Sequence, residues 1–127
     1  MYEKIFGTVV HGLGRGKDFG FPTVNIKLTN NELHIENGVY VVSITLYRDV
    51  AHDVPITFKG MLYVGTRPTL NLQETTIEIH ILDFNEDIYD QQIFFQILHK
   101  IRDEIQFENI DALIEQLHRD KEIVYDY

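Results

Sequence analysis

From residue 75 to residue 84 the chain alternates, with Ile77, Ile79 and Ile81 on one side and Thr76, Glu78, His80 and Leu82 on the other. A period of two marks a β-strand with one face toward a core. Other stretches are rich in β-branched and aromatic residues over strand-like lengths. They are Lys4 to Val10, Val39 to Tyr47 behind Gly38, Pro55 to Val64, and Gln92 to Ile101. Turn formers separate them at Asn30-Asn31, Asn37-Gly38 and Asn85-Glu86-Asp87. The period then changes. Ile110, Leu113, Ile114 and Leu117 stand at i, i+3, i+4 and i+7, one face of a helix. Asn109 is placed to cap it, Asp111 and Glu115 put acid in its early turns, and Arg119 and Lys121 lie toward the other end, as the helix dipole favours. The pattern predicts about five or six strands followed by one helix, hence an antiparallel barrel or sandwich with the helix over one face or an open end.

Composition narrows the picture. The 127 residues fit one domain, 1–127, and suffice for a core without staples. There are no cysteines, which excludes disulfides and thiolate metal sites. The net charge of −9 opposes a nucleic-acid backbone as partner, while nucleotides stay open because a metal ion and a few aimed N–H groups can hold a triphosphate locally. No apolar run approaches the roughly 20 residues of a membrane span, and residues 1–6 do not read as a signal peptide, so no membrane partner and a cytoplasmic location are expected. Serine occurs once, at Ser43 inside a strand, which argues against a serine nucleophile. The six histidines show neither HxxxH nor HxH spacing and read as surface or internally satisfied residues.

Four segments could carry chemistry. Gly12 to Gly20 holds four glycines in nine residues, and its amides could approach a ligand closely. It is neither a Walker A loop nor a dinucleotide fingerprint, and a wide hairpin loop accounts for it equally well. In Phe21-Pro22-Thr23-Val24-Asn25 an extended backbone would place Thr23 and Asn25 on one side, where a hydroxyl and an amide oxygen suit a hard cation such as Mg²⁺. A solvated strand face explains the same pair. Glu78 could act as a general base if its face lines a pocket, and otherwise belongs to a solvated face. In Arg102 to Phe107, Phe107 could stack on a flat ring and Arg102 could pair with an anion, unless this is a salt-bridged loop with one core aromatic.

Taken in order, these segments resemble one family. Gly7 to Asn25 (GTVVHGLGRGKDFGFPTVN) is similar to the opening of riboflavin kinases, a glycine-rich stretch leading into a Pro-Thr-Ala-Asn motif. GVY (Gly38 to Tyr40), GTRPTL (Gly65 to Leu70), IEIHILDFNEDIY (Ile77 to Tyr89) and IRDEIQF (Ile101 to Phe107) match successive family blocks, and the closing helix with Asp120 matches too. The resemblance implies a six-stranded antiparallel Greek-key β-barrel with a C-terminal α-helix, and phosphorylation of riboflavin to FMN with ATP and Mg²⁺, leaving ADP. It implies Glu78 as the catalytic carboxylate and Thr23 and Asn25 as ligands of metal and phosphates. Gly12, Gly14, Lys17, Ile81, Asp83 and Tyr89 fall at nucleotide positions, and Arg102, Ile105 and Phe107 at positions around the flavin. In many bacteria such a module follows an N-terminal adenylyltransferase domain. A flavin-binding barrel without catalysis, or a decayed kinase domain, is the rival reading. The chain departs from the family at Val24, where Ala is usual, at Asp90, where Gly commonly follows the Tyr, and at Ile105-Gln106, which lacks a frequent Lys.

Overall fold

A computed structural model describes residues 4–11, 19–29, 34–47, 55–69 and 72–127. The strands are β1 (Ile5–Val10), β2 (Val24–Leu28), β3 (Gly38–Tyr47), β4 (Pro55–Thr69), β5 (Leu72–Ile81) and β6 (Gln92–Arg102), and one helix, α1 (Ile110–Asp126), ends the chain. They close into a barrel in the order β1-β2-β5-β4-β3-β6, every pair antiparallel. After the β3–β4–β5 meander the chain returns to lay β6 beside β3, which is a Greek key. The expected fold class is therefore the observed one.

Strand lengths depart from the sequence pattern for local reasons. β4 runs past Val64 to Thr69 because its ladder with β5 continues to the pair Thr69–Leu72. β5 stops at Ile81 rather than Phe84, since Leu82 and Asp83 form a turn with Asp83 at φ 56°. The Asn30-Asn31 signal lies outside the described residues. Gly38 opens β3 flush against the end of β6, where a Cβ would stand 2.6 Å from the Arg102 carbonyl oxygen. No residue but glycine fits there.

The barrel interior is filled by side chains such as Tyr40, Val42, Ile44 and Leu46 from β3, Leu62 from β4, Ile77, Ile79 and Ile81 from β5, and Phe95 from β6. A second cluster lies outside the wall, where Phe21, Val41, Met61 and Leu82 meet Leu117 and Val124 of α1. The helix thus covers an outer face of the barrel. That placement explains why β3 reads as a continuous apolar run, with Val41 and Val42 both fully buried on opposite faces. It also explains two register shifts between β3 and β6, near Val39/Tyr40 and Val41/Val42, which leave Leu98 and Ile101 of β6 unpaired with β3. Bulges re-aim side chains, and both residues pack into the helix-side cluster.

Asn109 caps α1 as expected, its side chain accepting from the Ala112 amide at 2.8 Å. The helix runs on to Asp126, with no basic residue in its last turn. Arg119 and Lys121 therefore sit in its body instead of complementing the dipole. Arg119 pairs with Glu115 at i,i+4, and Lys121 lies over the Phe21 and Tyr125 rings. The helix continues because Val124 extends the stripe of Leu113, Leu117 and Asp120 that faces the barrel.

Phe95 has no exposed surface and fills the barrel centre. Phe95→Ala should destabilise the fold by about 3–5 kcal/mol, read as a lower urea midpoint at unchanged slope.

Candidate active site

The barrel order places β5 between β2 and β4. Across β5, Glu78 stands opposite Asn25 on one side and Tyr63 on the other. Directly opposed residues in an antiparallel pair have Cβ atoms about 5 Å apart. Asn25, Glu78 and Tyr63 therefore form a row across the outer wall, with core residues Ile77 and Ile79 flanking Glu78 on the inner face. The alternative of a fully solvated outer face does not hold here. Glu78 is half-buried, and His80 and Leu82 are buried, because Phe21 and α1 pack against this strip.

On the Tyr63 side lies a buried ion pair. Asp120 has no exposed surface and accepts from Arg102 Nε at 3.1 and 3.0 Å, from Arg102 Nη2 at 2.8 Å and from Gln116 Nε2 at 3.0 Å. Arg102 also donates to the Asp103 carbonyl at 3.2 Å. The anion that the sequence assigns to Arg102 is thus the protein's own Asp120. Phe107 is half-buried with its ring centroid 5.8 Å from the Arg102 guanidinium carbon, and Ile105 is exposed. Lys100 ties the following segment down through Asp103 and Glu36, and Asn37 donates to Glu104 at 3.2 Å. Burial first, then the neighbouring Asp120 carboxylate, pushes the Tyr63 hydroxyl well above the usual phenol range, with Arg102 opposing and Glu78 adding. Tyr63 is consequently a neutral donor at any working pH, and its hydroxyl meets the Met61 sulfur at 3.7 Å, a weak acceptor.

Toward β1 and β2 is a cavity of about 150 Å³, lined by Val9, Pro22 to Val24, Ile79, Ile81 and the segment from Phe84 to Tyr89, with neither Asn25 nor Glu78 in its lining. This is less than the roughly 300–1,000 Å³ of a typical ligand cleft. Of the residues assigned to the nucleotide, Thr23, Ile81 and Tyr89 line it. Asp83 is not in its lining and accepts from the Tyr125 hydroxyl at 2.9 Å, tying the turn after β5 to α1. Gly12, Gly14 and Lys17 lie outside the described residues. His11 stacks on Tyr89 with centroids 3.8 Å apart. Asp90, in place of the family's glycine, adopts φ 68° all the same, and its amide donates to the Val9 carbonyl at 2.8 Å. Aspartate visits this left-handed region more readily than most residues.

Thr23, Asn25 and Glu78 offer a hydroxyl, an amide oxygen and a carboxylate, all hard donors. Among the described residues no group of three His, Cys, Asp or Glu could hold a metal. Such a sparse oxygen set fits Mg²⁺, which keeps waters and takes its remaining ligands from substrate phosphates.

Sequence reasoning gave no role to Tyr63 or His80 and met Asp120 only through the resemblance. For Asp120 a signal existed, an acid on the apolar stripe between Leu117 and Val124. Tyr63 lies in a mixed apolar stretch, and only its cross-strand partner marks it. His80 is buried, with Nδ1 2.7 Å from the Pro22 carbonyl oxygen. Burial holds the imidazole below its ordinary pKa, with Lys121 adding, against the raising effect of the Pro22 hydrogen bond.

By fold, the chain groups with small closed barrels carrying a helix on the wall. A riboflavin kinase from Trypanosoma brucei superposes with a TM-score of 0.71 over 97% of this chain and 77% of that one, at 24% identity. A Streptococcus pneumoniae protein described as a macrolide-efflux protein superposes with a TM-score of 0.86 at 34% identity, over 98% of this chain and 38% of that one. By sequence the placement is more particular. The flavokinase profile, described as riboflavin kinase, matches residues 2–127. The chain belongs to the riboflavin kinase family. A bifunctional riboflavin kinase/FMN adenylyltransferase from Haemophilus influenzae is 38% identical over 94% of this chain. The chain spans 36% of that relative, about a third of its length.

Asp120→Ala leaves the Arg102 charge buried without its partner and should cost about 3–5 kcal/mol in urea unfolding. A second expectation concerns pH. The folded His80 pKa is depressed, so the unfolded chain binds more protons just below the unfolded value of about 6.5. Its contribution is fully present above that pH and is lost as pH falls through the folded pKa. Between pH 7.5 and 5, His80→Leu should therefore lose less stability than the wild type.

Proposed function

We propose that residues 1–127 act as one riboflavin kinase unit, transferring the γ-phosphoryl group of ATP to the ribityl 5′-hydroxyl of riboflavin to give FMN and ADP. Beyond family membership, one observation carries this reading. Glu78 stands in one row between Asn25, two residues from the cavity-lining Thr23, and Tyr63, which lies beside Arg102 and Asp120. A carboxylate so placed lies between the positions the family gives to nucleotide and flavin.

In this reading Thr23 and Asn25 would hold Mg²⁺ together with the phosphates, and the ion would supply positive charge to balance them. The glycine-rich stretch with Gly12, Gly14 and Lys17 contributes to the same end, and Ile81 and Tyr89 contact the nucleoside. Asp83 acts through its turn, since its carboxylate already takes the Tyr125 hydroxyl. The flavin lies against Phe107 and Ile105, with Arg102 supporting the Phe107 ring while paired to Asp120. Glu78 accepts the proton of the 5′-hydroxyl as that oxygen bonds to the γ-phosphorus. The bond from the γ-phosphorus to the β,γ-bridging oxygen breaks, and ADP carries the electron pair away. Such transfers depend on positioning and electrostatics more than on covalent help. We place the protein in the cytoplasm, and no helix among the described residues is long and apolar enough to cross a membrane. An N-terminal adenylyltransferase domain, as the names of the bifunctional relatives suggest, is the proposed partner of this unit.

The test is flavin chromatography after incubation with riboflavin, ATP and Mg²⁺. FMN should form only when all three are present. Glu78→Gln should lower kcat by about 10²–10⁴ with little change in the KM for ATP. Riboflavin binding without any FMN would instead mark a passive flavin barrel, and near-normal kcat in Glu78→Gln would remove the base.

A further inference from the structure

We propose that His80 is a positioning residue: its imidazole fixes the Pro22–Thr23 peptide and thereby aims the Thr23 hydroxyl in register with Glu78. The inference rests on the kinase reading and deepens it.

The ladder between β2 and β5 consists of the pairs Asn25–Glu78 and Val24–Ile79. One step further would pair Thr23 with His80, but the ladder has ended. There the His80 side chain takes over from the main chain, with Nδ1 2.7 Å from the Pro22 carbonyl oxygen. A carbonyl only accepts, so Nδ1 carries the proton and donates. Proline has no N–H, which leaves its carbonyl as the one main-chain group by which that residue can be pinned. The Pro22 carbonyl shares a rigid plane with the Thr23 nitrogen, so orienting the first orients the second.

Spacing completes the argument. Glu78 and His80 are two apart and share one face of β5, so one strand presents the carboxylate and holds the segment that carries Thr23. The neighbouring Phe21 is buried, with its ring 5.3 Å from His80, 5.0 Å from His118, and under Lys121 at 5.7 Å. The approach to Thr23 is thus gripped from β5 and from α1. A histidine there for bulk alone would not need to aim a nitrogen at a proline carbonyl.

The test compares His80→Leu, which keeps bulk and loses the donor, with His80→Asn, whose side-chain amide keeps an N–H at similar reach. Mg·ADP binding is measured by calorimetry, riboflavin binding by fluorescence, FMN formation by chromatography, and folding by thermal unfolding. His80→Leu should weaken Mg·ADP binding and raise the KM for ATP by about tenfold, the worth of one buried hydrogen bond, while riboflavin affinity stays unchanged. His80→Asn should recover most of the loss. Wild-type Mg·ADP affinity in His80→Leu overturns the inference. So does a parallel loss of both ligands that His80→Asn fails to rescue, because that is the mark of packing. Should His80→Leu not fold, His80→Gln takes its place. Its amide is displaced by one methylene, and equal Mg·ADP affinity in the Asn and Gln variants overturns the inference. An active wild type with an indifferent His80→Leu removes only this inference. A wild type that binds no Mg·ADP and makes no FMN removes the kinase reading and this with it.

Discussion

A carboxylate with no access to water, set in the middle of a helix, is tolerable only if its hydrogen bonds are met in full. Asp120 meets this demand through Arg102 at the end of β6 and Gln116 one turn back on α1. Removing such a group from water costs several kcal/mol, and only close, well-directed donors offset it. Apolar contacts are non-directional, so the Leu113–Leu117–Val124 stripe alone leaves helix height and rotation loosely set. The ion pair is directional and sets them. Everything else that α1 touches follows from that placement, including the Tyr125 bond to Asp83 on the cavity side and the His118 and Lys121 contacts to Phe21.

The second organising feature is that β5 has two working faces. Its inner isoleucines belong to the barrel core, and its outer face carries Glu78 and His80. The Greek-key order then chooses the neighbours. Because β2 and β4 flank β5, Asn25 and Tyr63 become partners of the same carboxylate although they lie on different strands. Barrel closure keeps this row from shifting. A one-residue slip of β5 would turn every isoleucine outward and every polar group into the core.

This logic also separates what the sequence could tell from what it could not. The alternation of Ile77, Ile79 and Ile81 was plain because period reports facing, and the Asn109 cap was plain because capping is local. The solvated look of the opposite face was misleading. Period says which side is inward but not what is packed outside, and Phe21 and α1 come from distant parts of the chain. Arg102 looked open to an outside anion for the same reason, its partner lying a loop and most of a helix away. Tyr63 carried no local mark at all, since its meaning comes from the β4–β5 register. Residue chemistry and spacing left the roles of Thr23, Asn25 and Glu78 open and the resemblance named them, while the pairing of Asn25 with Glu78 is a property of the fold that spacing could not have supplied.

Charge bears on the proposed chemistry through distance. The net charge of −9 opposes a free triphosphate, yet at physiological salt charges beyond about 8 Å are largely screened. The local acids therefore decide. Glu86, Asp87 and Thr23 all line the cavity. In the proposed reaction Glu86 and Asp87 repel phosphates, Thr23 offers them a neutral hydroxyl, and a divalent cation would bring the positive charge that no lysine or arginine among the cavity-lining residues provides. On the kinase reading, an acidic protein with a neutral phosphate-side donor set thus depends on the metal for charge balance and on its own strands for alignment. The row Asn25–Glu78–Tyr63 supplies that alignment.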